Sequence, residues 1–218
     1  MTITYPYTLP FFADLLKIDS VIWDIQRNDE SSGTGDGRIW TAELAPPLWL
    51  ATVNLSQIDA DSAKQIAAKI RKLQGSRQQF FLYDPLSMYP QSDKDGSMLT
   101  GRTVLLNSIA TDRGTIGFSG LPSGYVLTVG DKFSYAYSSG PTRYGFHEIS
   151  ETVVASGAGT TPSFGVFPNL PAGVATGAVI TLIKPACKCI LYPGSHNPGT
   201  TGKDHTTSGA SFKAIQKK

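Results

Sequence analysis

The segment 58–85, IDADSAKQIAAKIRKLQGSRQQFFLYDP, predicts an amphipathic helix that leads directly into an aromatic strand. Apolar residues recur at helical spacing and mark one buried face: Ala63, Ile66, Ala67, Ile70 and Leu73. Asp59 or Asp61 can cap the first turn by accepting hydrogen bonds from its free N–H groups. Gly75 can end the helix in a left-handed conformation. We therefore expect a helix over 59–74 that covers a sheet formed by the neighbouring strands.

The composition favours a β-rich protein. The chain has 218 residues, of which 40% are hydrophobic and 17% charged, with 22 Gly and 14 Pro. This describes an ordered, turn-rich protein that is long enough for two small domains. The net charge of +2 is small and the basic residues are scattered, so nucleic acid is not an expected partner.

Alternating apolar and polar residues before the helix predict strands over 20–27, 38–45 and 48–55. The second of these places three residues on one predicted inward face: Trp40, Ala42 and Leu44. The polar segment 28–37, NDESSGTGDG, predicts a hairpin loop or a flexible loop. After residue 102, Gly-rich turns separate eight further predicted strands: 103–109, 114–118, 125–129, 132–137, 143–150, 152–155, 164–167 and 178–184.

The fold class predicted from these patterns is mainly β. It consists of an N-terminal β-sandwich-like sheet with one covering helix, and a C-terminal small β-barrel or sandwich domain. The predicted boundaries are an N-terminal arm, a β domain, a linker, a second β domain and an extended C-terminal tail: 1–19, 20–90, 91–102, 103–192 and 193–218.

The sequence offers no constellation for catalysis, so we expect no catalytic residue, no cofactor and no metal. His147, His196 and His205 lack metal-motif spacing, and His147 is expected to be a surface or partly satisfied strand residue. Cys187 and Cys189 project from the same strand face and predict two buried thiols, or else half of an intermolecular metal site. Without a secretory signal or an apolar run of about 20 residues, we expect a soluble protein that inserts into no membrane.

Aromatic residues outside the helix predict two alternative surfaces. The interface candidates are Tyr5, Tyr7, Phe11, Phe12, Trp23 and Trp40, because aromatic residues are enriched where proteins bind each other. The possible glycan-contact residues lie in the second domain and are Phe133, Tyr135 and Tyr137. The aromatic arm, the polar tail and the long mid-chain loop each have too little packing of their own to become ordered alone, which favours the interface interpretation.

Several motifs resemble the distal tail proteins of long-tailed bacteriophages, a family of minor tail proteins. They are WTAELAPPLW before the helix, QQFFLYDP after it, a GD turn followed by an aromatic strand and an HEI strand within 120–173, and the final SFKAIQ. The resemblance implies a structural virion protein at the tail tip, or baseplate, with an OB- or galectin-like second domain. It also implies a homo-oligomeric ring, a hexamer in known relatives, that joins the tail tube protein to the tip hub protein and is assembled in the bacterial host cytoplasm.

The resemblance brings no catalytic residues, and this chain has a short first domain without a long receptor-binding insertion. We expect strand edges to pair around the ring, the segment 28–38 to reach a tube or hub protein, and removal of residues 1–12 to leave a folded monomer. A carbohydrate-binding tail module for host attachment is the alternative. A tail-associated cell-wall hydrolase is a second one, which the lack of an acid pair, a Cys-His pair or a metal-ligand set disfavours.

Overall fold

The computed structural model describes residues 3–138 and 140–218 and is mainly β with one α-helix, which confirms the predicted fold class. The strands are β1 (Ile18–Gly33), β2 (Ile39–Leu55), β3 (Ile58–Asp59), β4 (Gln79–Tyr83), β5 (Val104–Ile109), β6 (Thr115–Ser119), β7 (Val126–Leu127), β8 (Lys132–Tyr137), β9 (Arg143–Ile149), β10 (Val153–Val154), β11 (Phe164–Phe167), β12 (Val179–Thr181), β13 (Ala186–Leu191), β14 (Thr200–Thr201), β15 (Thr206–Ser208) and β16 (Ser211–Gln216). The helix is α1 (Ala60–Lys72), and three short 3-10 helices span Ala13–Leu15, Pro85–Ser87 and Ser97–Leu99.

The chain divides into two compact units whose boundary differs from the predicted one. Unit 1 comprises the described chain up to Phe80 together with Cys189–Lys217, and unit 2 comprises Phe81–Lys188 with Lys218. The predicted linker 91–102 belongs to unit 2. Its Leu99 is buried in the core of that unit, and the backbone N–H of Gln91 donates to Asp131 Oδ1 at 3.0 Å. These contacts, which the polar composition of the segment conceals, make it part of a folded unit.

Unit 1 is built on a five-stranded sheet with the strand order β1-β2-β16-β13-β4. Strand β16 comes from the end of the chain and pairs with β2, with Phe212 opposite Val53 and Ala214 opposite Ala51, all four of them buried. The prediction of an extended tail over 193–218 is therefore wrong. That segment also supplies β14 and β15, which form a small sheet with β3.

Helix α1 begins where the sequence predicts and ends close to it. Asp59 is the capping residue, and its Oδ1 accepts a hydrogen bond from Ser62 N at 2.8 Å. The apolar face of α1 is buried and lies against Leu55, Ile58 and Phe212 of the sheet and its connections. Gly75 follows the helix with a φ of +66°, the left-handed conformation that its lack of a Cβ permits.

The N-terminal arm packs on unit 1 of the same chain. Tyr7 N donates to Gln79 O at 2.9 Å, and Phe12 lies edge-on to Phe80 with ring centroids 5.1 Å apart. Tyr7 and Phe12 are each only 1% exposed. Removal of residues 1–12 would therefore take two side chains out of the core, which corrects the expectation that such a truncation leaves the monomer intact.

Unit 2 contains a closed barrel with the strand order β11-β6-β5-β12-β8-β9, beside a two-stranded sheet of β7 and β10. Strands are present at all eight positions predicted after residue 102, but β7, β10 and β12 are clearly shorter than predicted. Phe118 lies at the centre of the core and contacts Phe133 and Phe164 edge-on at centroid distances of 5.2 and 5.1 Å. Apolar burial of this kind supplies the main free energy that holds such a barrel together.

Candidate protein-interaction hairpin

Strands β1 and β2 form a hairpin that extends well past the rest of its sheet. The pairs run from Ile18 opposite Leu55 to Gly33 opposite Ile39, whereas β16 pairs with β2 only from Asn54 to Leu50. In the outer half, β1 and β2 pair only with each other among the described strands. The predicted loop over 28–37 is thus shorter than expected, because the strands continue through Gly33 and resume at Ile39.

The hairpin also continues through a Pro-Pro dipeptide that the sequence predicts as an interruption. Pro46 and Pro47 lie opposite an irregularity of β1, between the pairs Gln26 with Leu48 and Asn28 with Ala45. A proline has no N–H to donate to a ladder and is tolerated at a bulge or on an edge. The irregular register at Arg27 therefore accommodates both prolines within one strand.

Both faces of the outer half are exposed. Every residue of 29–33 and 39–44 is classed as exposed, and this half carries three large apolar side chains with more than half of their surface accessible: Ile39 at 73%, Trp40 at 67% and Leu44 at 67%. An isolated two-stranded ribbon is marginally stable in water. Covering Trp40 and Leu44 would contribute about 1.5–3 kcal/mol for each side chain.

Cross-strand register assigns these residues to the two faces. Glu30 lies opposite Ala42 and Ser32 lies opposite Trp40. Because side chains alternate along a strand, one side of the ribbon carries Glu30, Ser32, Trp40 and Ala42. Leu44 follows them as the extra residue of the register irregularity between Asn28 and Asp29. We call these five residues the hairpin face. Ile39 and Glu43 lie on the opposite side. The sequence predicted that Trp40, Ala42 and Leu44 share an inward face, but the structure leaves all three residues exposed.

Acidic residues predominate on the outer half. Arg27 lies 3.6 Å from Asp29, and Arg38 lies 3.4 Å from Asp36. Within the described part of the chain, no ion pair closer than 4.0 Å involves Glu30 or Glu43. The hairpin face therefore combines two large apolar side chains with one unpaired carboxylate.

The structure divides the six predicted interface residues into three groups. Trp40 is exposed on the hairpin face, whereas Trp23 contacts Trp49 at a centroid distance of 6.3 Å on the inner part of the sheet. The arm residues pack within unit 1, where Tyr7 stacks on Tyr5 at 5.0 Å and contacts Phe11 at 4.8 Å. Leu44 and Ile39 were not predicted as interface residues, because an alternating pattern does not indicate whether the apolar face is covered.

The three possible glycan-contact residues lie in the barrel core. Phe133, Tyr135 and Tyr137 are 0%, 3% and 9% exposed, so the assumption that these rings are accessible is corrected. Their strand β8 turns them inward, where the Tyr135 ring lies across Gly145 of β9. A Cβ at Gly145 would stand 2.3 Å from Tyr135 Cζ, so glycine is required there. Stacking on a sugar needs an open ring face, which this arrangement does not offer.

His147 is fully enclosed in unit 2, contrary to the expected surface or partly satisfied position. Its Nδ1 donates to Pro168 O at 2.6 Å, and its Nε2 accepts from the Tyr135 hydroxyl at 2.9 Å. A backbone carbonyl can only accept, so this network assigns the neutral tautomer with the proton on Nδ1. Burial lowers the pKa of His147 from 6.5 to about 4, although the bond to Pro168 acts in the opposite direction.

The enclosed His147 predicts an acid-sensitive barrel. Because its pKa is lower in the folded chain, the stabilisation is complete above pH 6.5 and is lost as the pH falls towards 4, by roughly 3 kcal/mol in total. Hydrogen exchange of barrel amides between pH 4 and 7.5 measures this loss, with His147→Gln as the control that does not titrate. Equal pH dependence of the two proteins would contradict the assignment.

Three further features of the described residues concern a metal site, a disulfide bond and a membrane-spanning helix. Among residues 3–138 and 140–218, no group of three or more His, Cys, Asp or Glu side chains is arranged to hold a metal ion. Cys187 and Cys189 are buried thiols that form no disulfide bond. No helix in these two ranges combines the length and apolar character needed to cross a membrane.

Two comparisons with known proteins, by family model and by curated sequence, give no match. No protein-family model matches the chain, and no curated protein matches its sequence.

Proposed function

We propose that this protein is a structural subunit that assembles with copies of itself through the outer half of its β1–β2 hairpin. The observation that carries the proposal is the exposure of Trp40 and Leu44 on a ribbon that has no cover of its own. Large apolar residues exposed together at a protein surface mark interaction sites. Aromatic anchors such as Trp contribute a large share of the energy of association.

The biological setting that we propose is the tail tip of a tailed phage. The sequence motifs support this setting through their resemblance to distal tail proteins. In it, the chain forms a ring, with six copies as the expected number, that joins the tail tube to the tip hub and performs no catalysis. A chain with two β-rich units and a long exposed hairpin suits a role in which rigid subunits connect neighbours.

The hairpin also provides a more specific mechanism of assembly than pairing of sheet edges. Strand β1 forms one edge of the five-stranded sheet, but the opposite edge, β4, already carries a bridge between Tyr7 and Phe80. Edge-to-edge closure needs two open edges on each subunit. Docking of the hairpin face does not need the second edge, so we assign the subunit contact to that face.

Light scattering after size exclusion tests this proposal on the tag-free protein. We expect a mass of about six subunits, and ring-shaped particles in negative-stain images of the same peak. Trp40→Ser combined with Leu44→Ser should give a monomer with an unchanged circular dichroism spectrum, because both side chains are exposed in the subunit. Monomeric native protein over the whole accessible concentration range would contradict self-assembly.

A matched control separates the hairpin from exposed apolar residues in general. Leu86 is 86% exposed and Val179 is 55% exposed, and both lie in unit 2. Leu86→Ser combined with Val179→Ser removes comparable apolar surface outside the hairpin. The ring should persist in this control. Loss of the ring in the control would contradict the assignment of the contact to the hairpin face, and so would a ring that persists in the Trp40 and Leu44 variant.

A further inference from the structure

We propose that the hairpin face of one copy docks into a groove between the N-terminal arm and helix α1 of a second copy. This inference rests on the proposed self-assembly and names its second surface. The groove has a volume of about 280 Å³, and its lining comes from unit 1 only: Asp14, Leu15, Lys17, Ser62, Gln65, Ile66 and Lys69.

The groove has the chemistry that complements the hairpin face. Ile66 is a buried apolar residue in its lining, and Leu15 lies beside it with 47% of its surface exposed. These side chains provide the apolar contact that Trp40 and Leu44 lack in the isolated subunit. An indole that enters a pocket and loses its water there is the usual form of an interface anchor.

Charge gives the contact its orientation. Two lysines, Lys17 and Lys69, and one carboxylate, Asp14, line the groove, which leaves a net positive charge. Lys69 Nζ is already occupied by a hydrogen bond of 2.8 Å to Phe11 O. Lys17 is exposed and has no ion pair closer than 4.0 Å within the described part of the chain. Glu30 on the hairpin face is likewise exposed and unpaired. We therefore pair Glu30 of one copy with Lys17 of the next.

Chain geometry places the partner groove on another copy. Lys17 directly precedes β1, whereas Trp40 lies opposite Ser32, near the far end of the same strand. At about 3.3 Å per residue, this part of β1 separates Trp40 from its own groove by roughly 50 Å. The hairpin cannot fold back onto that groove, so its face reaches a neighbouring subunit.

This contact joins two different surfaces, which determines the type of assembly. A head-to-tail contact generates a closed ring or an open filament, whereas an isologous contact gives a two-fold dimer. A hairpin that enters the groove of the next subunit leaves its own groove free for the preceding one. The inference thus accounts for a ring with a single repeated interface.

Charge reversal tests the pairing on the full-length protein. Glu30→Lys alone and Lys17→Glu alone should each weaken assembly about tenfold or more, because each places like charges in contact. The double variant, with both substitutions in one chain, should assemble with an affinity close to that of the native protein. We would measure association by light scattering and analytical ultracentrifugation over a concentration series.

Mixing the two single variants gives a sharper outcome. In an equal mixture, the basic hairpin of the Glu30→Lys variant meets the acidic groove of the Lys17→Glu variant. The Lys17→Glu variant has a native hairpin, which meets the native groove of the Glu30→Lys variant. A ring of alternating copies should therefore form where neither variant assembles alone. Glu43→Lys, on the opposite face of the ribbon, and Lys64→Glu, on α1 but outside the groove, are the matched controls. Both should assemble normally.

Two results would overturn the inference and can be distinguished from failure of the proposed function. If Trp40→Ser with Leu44→Ser abolishes assembly while Glu30→Lys and Lys17→Glu do not weaken it, the hairpin is an interface but this groove is not its partner. If both single variants fail and neither the mixture nor the double variant restores assembly, the pairing is also wrong. A native protein that stays monomeric would overturn both proposals.

Discussion

A chain that ends after Ala210 is expected to lose the folded state of unit 1, because strand β16 lies inside the sheet and not at its edge. Its removal leaves the inner part of β2 and the end of β13 each without a ladder partner on one side. It also removes Phe212, which is 1% exposed and lies 6.2 Å from Phe12 between ring centroids. Unpaired buried backbone and a missing aromatic core residue each cost several kcal/mol.

Limited proteolysis and far-ultraviolet circular dichroism measure this loss. The truncated chain should be cleaved rapidly within unit 1 and should give little soluble protein. A chain that ends after Gln216 is the matched control, because Lys217 and Lys218 are exposed. Phe212→Ala should be intermediate, with a loss of about 3–5 kcal/mol. Native-like resistance of the chain that ends after Ala210 would show that β16 is dispensable.

The position of β16 shows where local patterns lose their predictive power. SFKAIQ has the alternation of a strand, with Phe212, Ala214 and Gln216 on one face, but it follows a long polar segment that suggests a free tail. Its partner β2 lies about 160 residues earlier in the chain. Pairing over such a distance depends on the whole fold, and a single sequence does not encode it in any local signal.

Locally determined elements were predicted well. Helix α1 follows from its apolar period, its capping Asp59 and its terminal Gly75, all of which lie within one short segment. The barrel strands follow from turn residues that recur along the second half of the chain. Each of these signals acts between near neighbours, so their physical basis is present in the sequence itself.

The candidate hairpin was predicted only in part from the sequence. Alternation predicted an apolar face with Trp40, Ala42 and Leu44, but the pattern is the same whether such a face is covered by the chain itself, by a partner or by water. The N-terminal aromatics show the reverse, because Tyr7 and Phe12 resemble interface residues and are buried in their own subunit. Exposure depends on the tertiary fold, which is why the structure was needed to separate these sets.

Lys132→Met is expected to destabilise unit 2 by about 3–5 kcal/mol, because it leaves a buried carboxylate without its cation. Lys132 Nζ contacts Asp84 Oδ2, and the two side chains are only 8% and 4% exposed. Asp84 Oδ1 also accepts a hydrogen bond of 3.0 Å from Leu86 N, so the carboxylate is held in place when the ammonium is removed. Because methionine fills most of the volume of lysine, the loss of stability measures the removed charge and not a change in packing.

A double-mutant cycle separates the pair from its surroundings. Asp84→Asn keeps the acceptor for Leu86 N but removes the charge, so the double variant should recover much of the stability that Lys132→Met loses. Glu148 lies opposite Lys132, and burial raises the pKa of Glu148 while the Lys132 charge lowers it. Lys132→Met should therefore raise the pKa of Glu148 further, which carbon-detected NMR can follow. Additive losses in the cycle, with an unchanged Glu148 titration, would mean that Lys132 and Asp84 stabilise unit 2 independently of each other.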